Sequence, residues 1–150
     1  MLEFARKIAI GCDHAGFLLK GNLQERFVKE DYSFKDMGTF SADSVDYPDF
    51  ALSVCKSVLN QEVEFGVLLC GTGNGMSMSA NKMKGIRAAL CWNEEIARLA
   101  RLHNNANILV LPARFLTEEE ASRIFHVFMI TGFEGGRHIA RIEKMDKLSL

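Results

Sequence analysis

Short, continuous apolar runs, each followed by a longer amphipathic stretch, constrain this chain more than any other feature. FGVLLC (Phe65–Cys70) has strand length and no polar residue, so as a strand it must be covered on both faces. IRAALC (Ile86–Cys91) and NILVL (Asn107–Leu111) read as two more buried strands, KIAIGC (Lys7–Cys12) as another, and YSFKDM (Tyr32–Met37) as a weaker one. Between them fall helical patterns. Phe17, Leu18, Leu19, Leu23, Phe27 and Val28 share a helical spacing within 16–30. Pro48–Leu59 has its proline in the first turn, and Asn74–Met83 and Asn93–His103 read as helices too. Thr117 with Glu120 spells a capping box before a helix to about Thr131, and a charged helix is expected over His138–Leu148.

Alternation of this kind predicts an α/β fold: a three-layer α/β/α sandwich around a five-stranded parallel, Rossmann-like sheet. At 150 residues and 48% hydrophobic content, one domain over 1–150 is expected. Ligands of such sheets bind beyond the carboxyl ends of the strands. That edge should gather Cys12-Asp13-His14, Cys70-Gly71-Thr72 and Cys91-Trp92-Asn93.

Charge and cysteine usage narrow the function. A net charge of -1 with 25% charged residues gives no broad field for nucleic acid or a membrane surface, so neither is expected as a partner. No apolar stretch is long enough to span a bilayer. The start, MLEFARKIAI, lacks the pattern of a secretory leader, and Cys12, Cys70 and Cys91 close apolar runs. Reduced thiols in a cytoplasmic protein are expected. The cysteine and histidine spacings match none of the usual structural zinc patterns, and no C-x-x-C occurs, so neither metal nor thiol redox chemistry is expected.

CGTGNG (Cys70–Gly75) is the segment richest in chemistry. A strand ending in cysteine, then Gly71, Gly73 and Gly75 and a helix, aims backbone N–H groups at one spot and favours thiolate. It is not a P-loop, because Met76-Ser77 stand where lysine and a hydroxyl residue are needed. It lacks the arginine of a cysteine phosphatase loop and the third glycine of a dinucleotide fingerprint. An oxyanion cradle beside a thiol remains, as does a tight turn over a buried cysteine. Asp13 and His14 in GCDHAGF suit either a helix cap or a site. His103 in RLHNNANI is a dipole partner at a helix end or a proton-transfer group. In EGGRHIAR, Arg137 and Arg141 lie one helical turn apart, which suits a phosphate dianion or a solvated face.

Taken in order, GCDHAG, DYPDFA, CGTGNG, ANK, GIRAAL, RLHNNAN and EGGRH resemble the type B ribose-5-phosphate isomerases, a family that also holds allose- and galactose-6-phosphate isomerases. The resemblance spans nearly the whole chain. It implies a cofactor-independent aldose–ketose isomerase working through a cis-enediolate. It implies Cys70 as the base between C1 and C2, with the amides of Gly71, Gly73, Asn74 and Gly75 and the Thr72 hydroxyl holding the enediolate oxygen. His103 is implied in ring opening, assisted by Asp13, and Tyr47 and Asn104 at sugar hydroxyls. Arg137 and Arg141 would clamp the phosphate, helped by His14 and Arg114. One branch of the family uses a Glu just after the glycine loop; here that position is Met76, which leaves the role to Cys70. The resemblance also implies a homodimer, or a dimer of dimers, with each site shared between subunits. A six-carbon sugar phosphate is the neighbouring substrate, and a non-catalytic sugar-phosphate sensor is the alternative of another class.

Overall fold

The computed structural model describes residues 5–150; the first four, part of the N-terminal stretch read above for a leader pattern, lie outside the described residues. Five parallel strands form one sheet: β1 (Arg6–Cys12), β2 (Tyr32–Asp36), β3 (Phe65–Cys70), β4 (Ala88–Leu90) and β5 (Ile108–Pro112), in the order β2-β1-β3-β5-β4. Six α-helices accompany them: α1 (Phe17–Phe27), α2 (Tyr47–Leu59), α3 (Asn74–Ala80), α4 (Glu94–Asn104), α5 (Glu118–Ile130) and α6 (Arg137–Asp146). The expected three-layer arrangement is present.

Strand alternation decides which side chain meets which layer. Ile8, Ile10, Val67, Leu69, Leu109 and Leu111 point to one face, beneath Leu23 and Phe27 of α1, Ala97 of α4 and Phe125 and Phe128 of α5. Ala9, Leu68, Cys70, Ile108 and Val110 point to the other, against Val54 and Cys55 of α2 and Met76 and Ala80 of α3. With apolar groups needed on both faces, β3 is buried along its entire length, as its sequence requires.

Two expected elements are shorter than their patterns. The helix from Asn74 ends at Ala80 instead of Met83, and the strand expected over Ile86–Cys91 is regular only over Ala88–Leu90. Side chains explain both. Asn81 caps the helix end and bonds β4 like a neighbouring strand, donating to the Ala88 carbonyl at 2.9 Å and accepting from its amide at 2.8 Å. The Arg87 amide donates to Asn107 Oδ1 at 2.8 Å, so ladder pairing starts late. β4 is the sheet edge and only half-buried, not a buried strand as its apolar run suggested.

The loop after β2 is held by a cation the sequence reading passed over. Lys20 of α1 is 2% exposed; its Nζ donates to Asp36 at 2.6 Å and to the Thr39 carbonyl at 2.7 Å. Asp36 also accepts from the Gly38 amide and from Gln24. α5 opens with the expected box, Thr117 and Glu120 each accepting from the other's amide.

Candidate functional site

At the carboxyl edge, β1 and β3 lie side by side, with Cys12 opposite Leu69. Their following turns interlock. Asp13 donates its amide to the Leu69 carbonyl at 3.1 Å, and its carboxylate accepts from the amides of Ala15 and Gly16. The sequence left Asp13 as a cap or a site residue; it does cap this turn, and it also lines the cleft. The same turn places His14 partly buried, with Nδ1 out of solvent and without a hydrogen-bond partner among the described residues.

The glycine turn is built by close approach. Gly73 has φ +80, and a Cβ there would lie 2.3 Å from Leu90 Cδ1, so both backbone and packing demand glycine. A Cβ on Gly75 would meet the Tyr47 ring at 2.6 Å, which shows how closely the first residue of α2 covers the loop. Arg114, just after β5, donates its amide to the Gly71 carbonyl at 3.0 Å, and its side chain lies across Gly71. The Thr72 hydroxyl accepts from the Asn74 amide at 3.2 Å. The amides of Thr72 and Gly73 donate to no acceptor among the described residues. Such unpaired N–H groups are what an oxyanion can use.

A cleft of about 630 Å³ opens here, lined by Asp13, His14, Tyr47, Gly71 and Arg114, with Asp46 and Asp49 from the start of α2. The two α2 carboxylates were not singled out from the sequence; the YPD spelling at a helix start was their signal. Cys70 precedes the lining residue Gly71 in the chain. It is 4% exposed and ends β3 on the α2–α3 face. Met76 is fully buried in the same layer and presents nothing to the cleft. Burial pushes the other thiols up, Cys12 to about 11 and Cys55 and Cys91 to about 12, which makes them poor nucleophiles.

The remaining expected residues stand elsewhere. α4 runs back along the sheet, so His103 and Asn104 emerge at the amino edge. There the Arg101 guanidinium lies 4.6 Å from the ring of Phe65, the first residue of β3. From Phe65 to Cys70 the strand advances about 17 Å. His103 stacks on His138 of α6, with ring centroids 4.4 Å apart and planes 15° from parallel. Arg137 and Arg141 are exposed on α6 and form no ion pair among the described residues. Asn104 lines a different cavity, of about 680 Å³, between 81–89 and 145–149. Within one chain the expected residues thus fall into two groups: thiol, amides, Asp13, His14, Tyr47 and Arg114 at one edge, His103 and the arginine pair at the other.

Comparison with known proteins agrees with this architecture. The profile of the family described as Ribose/Galactose Isomerase matches residues 8–145. The chain is 42% identical over 138 residues to ribose-5-phosphate isomerase B of Escherichia coli (strain K12), covering 92% of this chain and 93% of that protein. It is 45% identical to a probable ribose-5-phosphate isomerase B of Mycoplasma genitalium, covering 92% of each. Among solved structures, a ribose 5-phosphate isomerase from Thermotoga maritima superposes with a TM-score of 0.94 at 52% identity, over 95% of this chain and 99% of that one. The Mycoplasma genitalium enzyme solved with bound ribulose 5-phosphate gives 0.91 at 42% identity, over 97% of each chain.

Proposed function

The chain belongs to the ribose/galactose isomerase family, and from that premise we propose that it interconverts ribose 5-phosphate and ribulose 5-phosphate by proton transfer. The observation that carries the reading is the glycine turn at the end of β3. It sets a cysteine two and three residues before unpaired amides, beside a cleft lined by Asp13, His14, Gly71 and Arg114.

The reaction needs a base that moves one proton between neighbouring carbons, and donors for the oxygen that becomes negative. Cys70 as thiolate removes the proton from C2 of the open-chain aldose. The electron pair passes into a cis-enediolate, whose oxygen is held by the unpaired amides of Thr72 and Gly73, flanked by those of Gly71 and Gly75, and by the Thr72 hydroxyl, to which the Asn74 amide donates. Return of the proton to C1, with transfer of the hydroxyl proton from O2 to O1, gives the ketose. No atom is gained or lost, and no step requires an organic cofactor. Before this, His103 and Asp13 open the furanose, and Tyr47 and Asn104 hold its hydroxyls. Arg137, Arg141, His14 and Arg114 hold the phosphate.

About 17 Å of strand and the thickness of the sheet lie between Cys70 and His103 of one chain, which supports a homodimer, or a pair of dimers, as the working enzyme. In it the amino-edge half of one copy, with His103, Arg137 and Arg141, faces the thiol half of the next. No described helix is long and apolar enough to cross a membrane, and the enzyme works in the cytoplasm, where its thiols stay reduced.

The test is an assay of ribose 5-phosphate against allose 6-phosphate with chelator present. Turnover of the pentose phosphate, favoured over the hexose phosphate, is expected. Preference for the hexose phosphate would move the chain to the six-carbon branch, and turnover of neither would make it a sugar-phosphate binder.

A further inference from the structure

His103, used above in ring opening, also belongs to a cluster with two residues that have no role in that reading. His103 closes α4, Glu134 lies in the loop before α6, and His138 is in the first turn of α6. Glu134 Oε2 stands 3.5 Å from His103 Nε2 and 3.4 Å from His138 Nε2. The ligand atoms of all three residues lie within 4.8 Å of one another.

The two separations from Glu134 exceed the ordinary 2.7–3.2 Å of an N–H···O hydrogen bond. They match a different quantity. Two ligands of a tetrahedral zinc ion, each about 2.1 Å from the metal, stand about 3.4 Å apart. Both imidazoles turn the same nitrogen toward one carboxylate oxygen. Two imidazole nitrogens and one carboxylate oxygen thus converge on one spot. The cluster is also held in place. His138 is 6% exposed, and the Glu134 amide donates to the Leu102 carbonyl at 3.1 Å, fixing the loop to α4 one residue from His103. His103 and Glu134 are partly exposed, so a fourth position faces solvent.

We propose that His103, Glu134 and His138 form a binding site for a zinc-class divalent cation, which on binding takes His103 out of the isomerisation. Two nitrogens and one carboxylate suit zinc or cobalt; magnesium and calcium call for oxygen ligands. The metal-binding part stands on this geometry alone, and the inhibitory part rests on the role given to His103 above. Sequence spacing hid the site, because two ligands flank a Gly-Gly break and the third comes from another helix.

The experiment uses the full chain stripped with chelator and desalted. Calorimetry should show one zinc ion bound per chain and no binding of magnesium. Cobalt substitution should give visible d–d bands without the near-ultraviolet charge-transfer band of a thiolate ligand. Glu134→Gln, at an exposed side chain that leaves packing intact, should weaken zinc at least about tenfold, as should His138→Ala. His126→Ala, at an exposed histidine on α5, should leave binding unchanged. Zinc should inhibit turnover of ribose 5-phosphate over the concentration range in which it binds, and chelator should restore it. Absence of zinc binding, equal affinity in Glu134→Gln, or a thiolate band would overturn the site. Zinc bound through these residues with turnover unimpaired would overturn the inhibitory part. A chain that binds zinc this way but never isomerises ribose 5-phosphate would keep the site and remove the functional reading instead.

Discussion

Gly73 and Cys70 show how much rests on single residues in the turn after β3. A methyl group at Gly73 would be strained by φ +80 and would collide with Leu90. Gly73→Ala is expected to cost about 1–3 kcal/mol, read as a shift in the urea midpoint at unchanged slope. Cys70→Ala is expected to abolish turnover while the protein still binds sugar phosphate, seen as thermal stabilisation by ribose 5-phosphate. Full activity in that variant would remove the thiol from the chemistry. Arg137→Ala should raise KM by roughly 30-fold or more with little change in kcat, because the phosphate does not react; an unchanged KM would take Arg137 out of the clamp. From its residues CGTGNG left Cys70 as a site thiol or as a buried cysteine under a tight turn, and only the family resemblance chose between them. Its burial was legible in the apolar run that it closes; that α2 and α3 supply the cover was not.

At the scale of elements, helices and strands follow local chemistry wherever the backbone is satisfied by its own segment. The Thr117–Glu120 box places the start of α5 from four letters of sequence. β4 fails the same reading, because side chains of Asn81 and Asn107 take over bonds that a strand would make. The Lys20–Asp36 pair likewise joins α1, β2 and the following loop across the fold. Lys20→Ala would leave Asp36 without its cation and the Thr39 carbonyl without a donor. A loss of about 3 kcal/mol is expected by chemical denaturation, the lower end for a buried pair, because Asp36 keeps some access to water. A loss under about 1 kcal/mol would mean that water replaces the ammonium without penalty.

For the whole molecule, the decisive fact is that one chain holds the two halves of its proposed site at opposite edges of the sheet. Mixing Cys70→Ala with His103→Ala tests this directly. If sites form between copies, a mixed dimer carries one intact site and one doubly impaired site. Random exchange should then restore roughly a quarter of native activity from two inactive proteins; no recovery after verified exchange would place each site within one chain. The sequence by itself determined the parallel α/β fold, the glycine turn and the capping signals, because periodicity, turn chemistry and caps are properties of neighbouring residues. It also carried a family spelling nearly end to end. Only the tertiary structure decided that α4 and α6 bring Glu134 between two histidines, that β4 is an open edge, and that the thiol lies far from His103. Those facts depend on the direction in which each helix runs back across the sheet, and no local stretch of chain encodes that.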